Sequence, residues 1–215
     1  MINFVTMELE NLIKEYFPAI NPEQLEKFTH LPELYREWNE KINLVSRKDI
    51  ENLDINHILH SLAIAKYIDF KPGTKIMDLG TGGGLPGIPL AIIFPDSYFM
   101  LVDRTGKKIT AASDIASRIG LQNVEAIKAD AGEIKDKFHF IVSRGVMPQQ
   151  DLAKKARKLI SSENFNSLPN GLISLKGGDV KAELGNLAPR SEIIDLKQYF
   201  KEDFFETKKL IYTAI

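Results

Sequence analysis

The stretch KIMDLGTGGGLPG, Lys75–Gly87, decides how this chain is read. A short apolar run carrying an acid, Asp78, passes into a turn holding five glycines in thirteen residues. Glycine tolerates positive φ and leaves no Cβ in the way of a ligand. A strand, a glycine-rich turn and then a helix is how α/β proteins bring backbone amides to a bound molecule. GGGLPG at Gly82–Gly87 also fits the spacing G-x-G-x-x-G, a short pattern whose weight comes from its place after KIMDL.

Working outward, short β-type runs alternate with other segments: YFMLVD, VEAIKAD, FIVSR, GLISLKG, SEIIDLKQY and KKLIYTAI. The first five strands, counting KIMDL, are separated by stretches read as helical, the mark of a parallel sheet wound by crossover helices. Only FKEDFFET separates the last two, which predicts an antiparallel hairpin on the sheet edge. Upstream the pattern is helical. Leu9, Leu12, Ile13 and Tyr16 share one face. Asn21 is placed as an N-cap with Pro22 in the first turn, and Pro32 is expected to break or kink the helix it sits in. DINHILHSLAIAKYI reads as a further amphipathic helix. The expected organisation is a helical extension over residues 1–70 and one compact domain over 71–215.

Composition narrows the function. The 215 residues are 44% hydrophobic and 27% charged, the range of an ordinary globular chain. Cysteine is absent, which excludes disulfides, thiolate zinc sites and a cysteine nucleophile. No apolar run is long enough to cross a bilayer and the N-terminus lacks a signal-peptide pattern, so a cytoplasmic protein without a membrane partner is expected. The net charge of −1 gives no global attraction to nucleic acid. Any such partner must meet local clusters, either Arg104, Lys107 and Lys108 or the run KKARK at Lys154–Lys158. Both also read as solvated helix surface.

The acids at the strand ends discriminate between ligands. A dinucleotide places a pyrophosphate on the turn, and Asp78 would repel it. S-adenosylmethionine carries an ammonium that suits a carboxylate. Asp103, ending the second strand, fits ribose hydroxyls of either ligand. Asp130, ending the third run, is placed near an adenine edge. Three acids at successive strand ends favour S-adenosylmethionine over NAD. The NAD-dependent oxidoreductase and a purely structural turn remain the alternatives.

Absent residues narrow the reaction. Carbon-5 methylation of a pyrimidine needs a cysteine. Exocyclic-amine methylation uses an Asn/Asp-Pro-Pro-aromatic run, where this chain has VSRGVMPQ. Nothing near Ser143-Arg144-Gly145 supplies a metal site, and no metal is expected. Guanine N7 has a free lone pair and no proton to lose, so alignment alone suffices.

The segments EWNEKINLVS, HILHSL, DLGTGGGLPGIPLAI, FPDSYFMLVDRTGKK, VSRG and LISLKG, in that order, resemble the bacterial glucose-inhibited-division protein B family. These are the guanine-N7 methyltransferases of 16S ribosomal RNA (small-subunit methyltransferase G). The resemblance covers roughly residues 35–215. It implies a class I Rossmann-like fold: a seven-stranded mixed sheet with helices on both faces and a helical N-terminal extension. It implies S-adenosyl-L-methionine as cofactor, the small ribosomal subunit as partner, the 530 loop as target and a monomeric enzyme.

By that resemblance Gly80 and Leu85 line the methionine end of the cofactor, Asp103 holds the ribose, and Ala131 and Gly132, beside Asp130, flank the adenine. Arg144 is the catalytic candidate, facing the methyl-transfer centre. Asp78, Gly82 and Arg144 itself complete the cofactor set, and Asn43, His57 and Lys176 are the substrate candidates. Each has a plainer reading: an ion pair for Arg144, an edge lysine for Lys176, core or capping roles for His57 and His60, turn caps for Asn43 and Ser46, and core for Trp38. The chain departs from the family at His60, where Asp is common, and at Gly145, where Ala is common. A small-molecule methyltransferase of the same fold and a non-catalytic cofactor-binding module remain alternatives.

Overall fold

The computed structural model describes residues 4–46 and 48–215. Two helices open the chain, α1 (Phe4–Tyr16) and α2 (Pro22–Lys41). Asn21 caps α2: its side chain accepts from the Gln24 amide while Gln24 reaches back to the Asn21 amide. That reciprocal pair satisfies two amides the helix itself leaves orphaned. Of the break or kink expected at Pro32, the break does not occur: α2 runs through it for 20 residues. Proline's fixed φ is compatible with a helix, and the cost is one lost hydrogen bond and a steric clash one turn back. Burial of Phe28, Leu31, Leu34 and Tyr35 on the same face offsets that cost.

A π-helical turn (Asp54–Leu59) then leads directly into α3 (His60–Tyr67). The sheet follows, built from β1 (Lys75–Leu79), β2 (Tyr98–Asp103), β3 (Val124–Lys128), β4 (Phe140–Arg144), β5 (Gly171–Gly177), β6 (Ser191–Asp195) and β7 (Lys208–Ala214). Its order is β3-β2-β1-β4-β5-β7-β6, with β7 antiparallel to both neighbours. The expected terminal hairpin therefore exists, but β7 is inserted between β5 and β6 and only β6 forms the edge. Helices α4 (Gly87–Ile93), α5 (Gly106–Arg118) and α6 (Gln149–Ala156) connect the strands. The β3–β4 connection carries only a 3-10 turn, Ala131–Glu133, so the helix expected there is absent.

Strand alternation assigns the two faces. Ile76, Phe99, Leu101, Phe140 and Val142 face α2–α5 and join Leu9, Phe28 and Tyr35 in one continuous core. Met77, Leu79, Met100, Val102 and Ile141 face α6. Residues before 70 and the sheet thus share a core. Because β1–β5 are parallel, the ends of β1, β2, β3 and β4 converge on one edge. In an open α/β sheet that edge, where strand order reverses between β1 and β4, is where ligands bind. No helix among the described residues is long and apolar enough to cross a membrane.

Candidate functional site

The glycine turn leaves β1 with Gly80 at φ +73°. Its amide donates to the Val102 carbonyl at 2.8 Å, locking the turn onto β2. A Cβ on Gly80 would lie 2.6 Å from the Val146 side chain. Glycine is needed here for both the backbone and the close approach. From the N-terminal helices, the buried Tyr35 hydroxyl donates to the Gly83 carbonyl at 3.0 Å, and Leu44 packs over Gly83.

Asp78 is fully buried, and the structure sets it beneath the turn rather than in the cleft. The reason is strand alternation: Asp78 shares a face with Ile76, toward α4. One carboxylate oxygen accepts from the Thr81 hydroxyl at 2.6 Å and the Gly87 amide at 2.8 Å. The other is buried without a partner. Burial pushes its pKa up to about 7, against the two hydrogen bonds, which lower it. Asp78 organises the turn; the geometry does not bring it to a bound ammonium.

Two cavities flank the end of β4. The first, about 200 Å³, is lined by Leu79, Gly80, Asp103, Asp130, Ala131 and Val146 among others. Asp103 is half-buried; it accepts from the Gly82 amide at 3.0 Å and the Thr105 amide at 2.8 Å, one oxygen each. Each oxygen keeps a lone pair for a further donor. Asp130 caps the 3-10 turn through the Gly132 amide at 3.0 Å, and Lys155 lies 3.5 Å from it. That bond, before the two nearby cations, holds its carboxyl below the usual range. Val146, 39% exposed, supplies an apolar wall.

The second cavity, about 250 Å³, is lined by Asp49, His57, Arg144, Lys176, Phe204 and Lys208 among others. Arg144 ends β4 half-buried, its guanidinium 2.8 Å from His57 Nδ1 and 3.4 Å from the Asn56 carbonyl. A guanidinium only donates, so His57 Nδ1 accepts and the imidazole is neutral with its proton on Nε2. Burial first, and then Arg144, pulls the His57 pKa down to about 4. Burial also lowers Arg144. Among the described residues, no carboxylate comes within ion-pair distance of Arg144, so the ion-pair reading is not what the structure shows. The guanidinium is held by neutral acceptors and keeps its charge for a ligand.

Comparison with known proteins gives this geometry a family. The model of the family described as rRNA small subunit methyltransferase G matches residues 24–209. This chain belongs to that family. A relative of that name from Bacteroides thetaiotaomicron is 53% identical over 95% of this chain and 99% of its own length. One from Phocaeicola vulgatus is 54% identical over 95% and 98%. Among solved structures, a SAM-dependent O-methyltransferase from Thermotoga maritima superposes with a TM-score of 0.56 at 15% identity, over 72% of this chain and 64% of that one. That likeness bears on the fold alone.

Within this methyltransferase family member, the site residues expected from sequence divide. Gly80, Asp103, Asp130 and Ala131 come together around the first cavity, with Gly82 and Gly132 bonded to its acids. Leu85 is buried and lines neither cavity. Arg144 and His57 meet at the second, as their strand-end and helical positions allow. Lys176 lines it too, but its ammonium is bound to Glu183 at 2.8 Å and to the Met147 carbonyl, and its side chain is 8% exposed. It pins β5 to the loop before α6, and an RNA phosphate would have to displace Glu183. Asn43 is exposed and reaches neither cavity; Asn39 caps that turn instead, accepting from Leu44 and Val45. Trp38 packs against the core and donates to Asp114 at 2.8 Å. Sequence reasoning missed Tyr35, Thr81, Asp49, Asn56 and Phe204. Thr81, inside the glycine turn and three residues from Asp78, was the one with a local signal.

Proposed function

We propose that this chain transfers a methyl group from S-adenosyl-L-methionine to N7 of a guanine in the 530 loop of 16S ribosomal RNA, in the cytoplasm. The observation that carries the reading is a pair of cavities beside the chain that leaves β4, one lined by Arg144 and Gly145 and the other by Val146 and Met147, in a chain of the small-subunit methyltransferase G family. One cavity has the acid and glycine turn that suit a nucleoside-bearing cofactor. The other has a charged guanidinium held by His57.

The residues present fit that cofactor. Asp103 has lone pairs free for ribose hydroxyls, and Ala131, Leu79 and Val146 give the apolar walls an adenine needs. A Cβ built on Gly82 meets nothing within 4 Å, so the turn leaves open space there. When bound, S-adenosylmethionine supplies an electrophilic methyl carbon: the N7 lone pair forms the new C–N bond, the C–S bonding pair leaves with sulfur, and the positive charge passes to the base.

No proton moves, so no general base is required. The neutral His57 agrees with that requirement; it holds Arg144 rather than accepting a proton. The base becomes cationic, so Arg144 must address O6 or a phosphate and stay off N7. Its planar fork fixes such an acceptor better than an ammonium does. Catalysis is then alignment of N7 with the methyl carbon and exclusion of water. The lysines on the flank beyond the adenine end, Lys135, Lys154, Lys155 and Lys158, line a groove of about 420 Å³ suited to RNA phosphates.

The test is single-turnover methylation of purified small subunits lacking the modification, with mass-spectrometric location of the methyl group. The parent is expected to place it on guanine N7. Arg144→Ala is expected to lose about 10²-fold in rate, in line with a misplaced reacting group. Arg144→Lys recovers part of that, and cofactor affinity and melting stay near the parent's. Methyl incorporation elsewhere, or none into 16S RNA, overturns the reading. Near-parent rates in Arg144→Ala remove this residue from the site.

A further inference from the structure

The second cavity has the scale of one nucleobase. Its volume is about 250 Å³. Its walls are chemically uneven. Arg144 and His57 form one side. Asp49 stands apart from them, linked through Asn56: the Asn56 carbonyl lies 3.4 Å from Arg144 Nη1, and its side-chain amide donates to Asp49 Oδ1 at 3.3 Å. A guanidinium and a carboxylate thus both line the cavity, linked through a single residue. The half-buried ring of Phe204 faces the same space, set edge-to-face against His60 at 5.4 Å, with the Lys208 ammonium 4.5 Å from its centroid.

Guanine presents complementary edges. O6 accepts beside N7; N1–H and the 2-amino group donate on the adjoining edge. Adenine reverses the pattern next to the ring, with a donor at position 6 and an acceptor at N1. We propose that Asp49 selects guanine in this cavity, its carboxylate accepting from N1–H and the 2-amino group while Arg144 holds O6 and Phe204 covers one face of the base. The proposal rests on the guanine-N7 reading above and names the residues that read the base.

Asp49 has the capacity for this. Its Oδ2 accepts from the Ser46 hydroxyl at 2.9 Å and its Oδ1 from Asn56, which leaves a lone pair on each. The Ser46 bond first, and Asn56 after it, hold the carboxyl below its ordinary range, so it is ionised when the enzyme works. A half-buried carboxylate facing the N1 lone pair of adenine meets an acceptor instead of a donor, which is disfavoured. A site built on hydrogen bonds rejects an analogue that lacks the donor more strongly than an apolar pocket does.

Small subunits reconstituted with inosine in place of the target guanine lack the 2-amino donor and keep O6, N1–H and N7. The parent enzyme is expected to methylate them at least tenfold more slowly in single turnover. Asp49→Asn is expected to lose at least tenfold on guanine and to bring the guanine-to-inosine ratio close to one, with unchanged S-adenosylmethionine affinity. Ser46→Ala removes the loop bond but keeps the carboxylate, and is expected to keep the parent's ratio. Equal parent rates on guanine and inosine, an arm that needs no variant, overturn the proposal. So does a parent-like ratio in Asp49→Asn. A ratio that collapses equally in Ser46→Ala assigns discrimination to loop order and also overturns it. A parent that makes no N7-methylguanine at all refutes the underlying reading, and the role of Asp49 falls with it.

Discussion

Gly87→Ala tests the core of the structural argument, that Asp78 and the start of α4 are packed together to hold the glycine turn. A Cβ on Gly87 would sit 2.2 Å from Leu101 Cδ2, 2.9 Å from Asp78 Oδ2 and 3.2 Å from Asp78 Cβ. Carbon atoms pack at about 3.5–4.0 Å, so the leucine methyl must retreat by more than an ångström. It has nowhere to go, because Leu101 is fully buried on a central strand. Asp78 is equally fixed by Thr81 and by the Gly87 amide. Overpacking of this kind costs about 1–3 kcal/mol. Alanine returns up to about 1 kcal/mol of helix propensity, less at a first turn. A net loss of about 1–2 kcal/mol lowers Tm by about 2–8 °C in a chain of this size. The strain enters at the carboxylate that ties the turn, so S-adenosylmethionine affinity is expected to fall about tenfold, or about 1.4 kcal/mol. Thermal melting and calorimetric titration read the two effects. An alanine variant as stable as the parent, with the same Kd, refutes the packing argument.

Asp103→Ala removes the acceptor for two backbone amides and for the ribose. It is expected to weaken S-adenosylmethionine by about 1.5–3 kcal/mol, the usual worth of a charge-assisted hydrogen bond. Calorimetry with NAD on the parent is expected to show no binding, and saturable NAD binding without S-adenosylmethionine binding would reverse the cofactor assignment. Asp78 gives a pH signature. Burial raises its folded pKa from 3.8 to about 7, so its contribution to stability is fully present below the unfolded value and is lost as pH rises through about 7. Asp78→Asn lacks that titration, so its Tm relative to the parent is expected to climb between pH 4 and pH 7 and then level off. Parallel melting curves for the two proteins across that window would show that Asp78 does not titrate there.

The sequence alone determined the strands, the glycine turn and the acids at their ends. These signals are local: hydrophobic period, β-branched runs and glycine each act within a few residues. KIMDLGTGGGLPG thus placed Gly80 at the ligand edge, and VSR placed Arg144 at the end of β4. The hairpin at the C-terminus was legible from the short FKEDFFET connection. Its insertion with β7 against β5 was not, because a connection length does not say which edge a strand joins. Pro32 looked like a helix breaker by propensity, and burial of Phe28, Leu31, Leu34 and Tyr35 overrode it. Asp78 was expected in the cleft because it is an acid beside glycines; the pleat of β1 turned it the other way, under the turn. Lys176 read as a free cation until Glu183, from the loop beyond β5, met it. The gathering of Asp49, Asn56, His57, Arg144 and Phe204 around one cavity was beyond the sequence, since they come from segments up to about 150 residues apart. Contacts over such separations depend on how helices from the first third of the chain pack on a sheet completed by its last residues. Only the tertiary structure decides that packing.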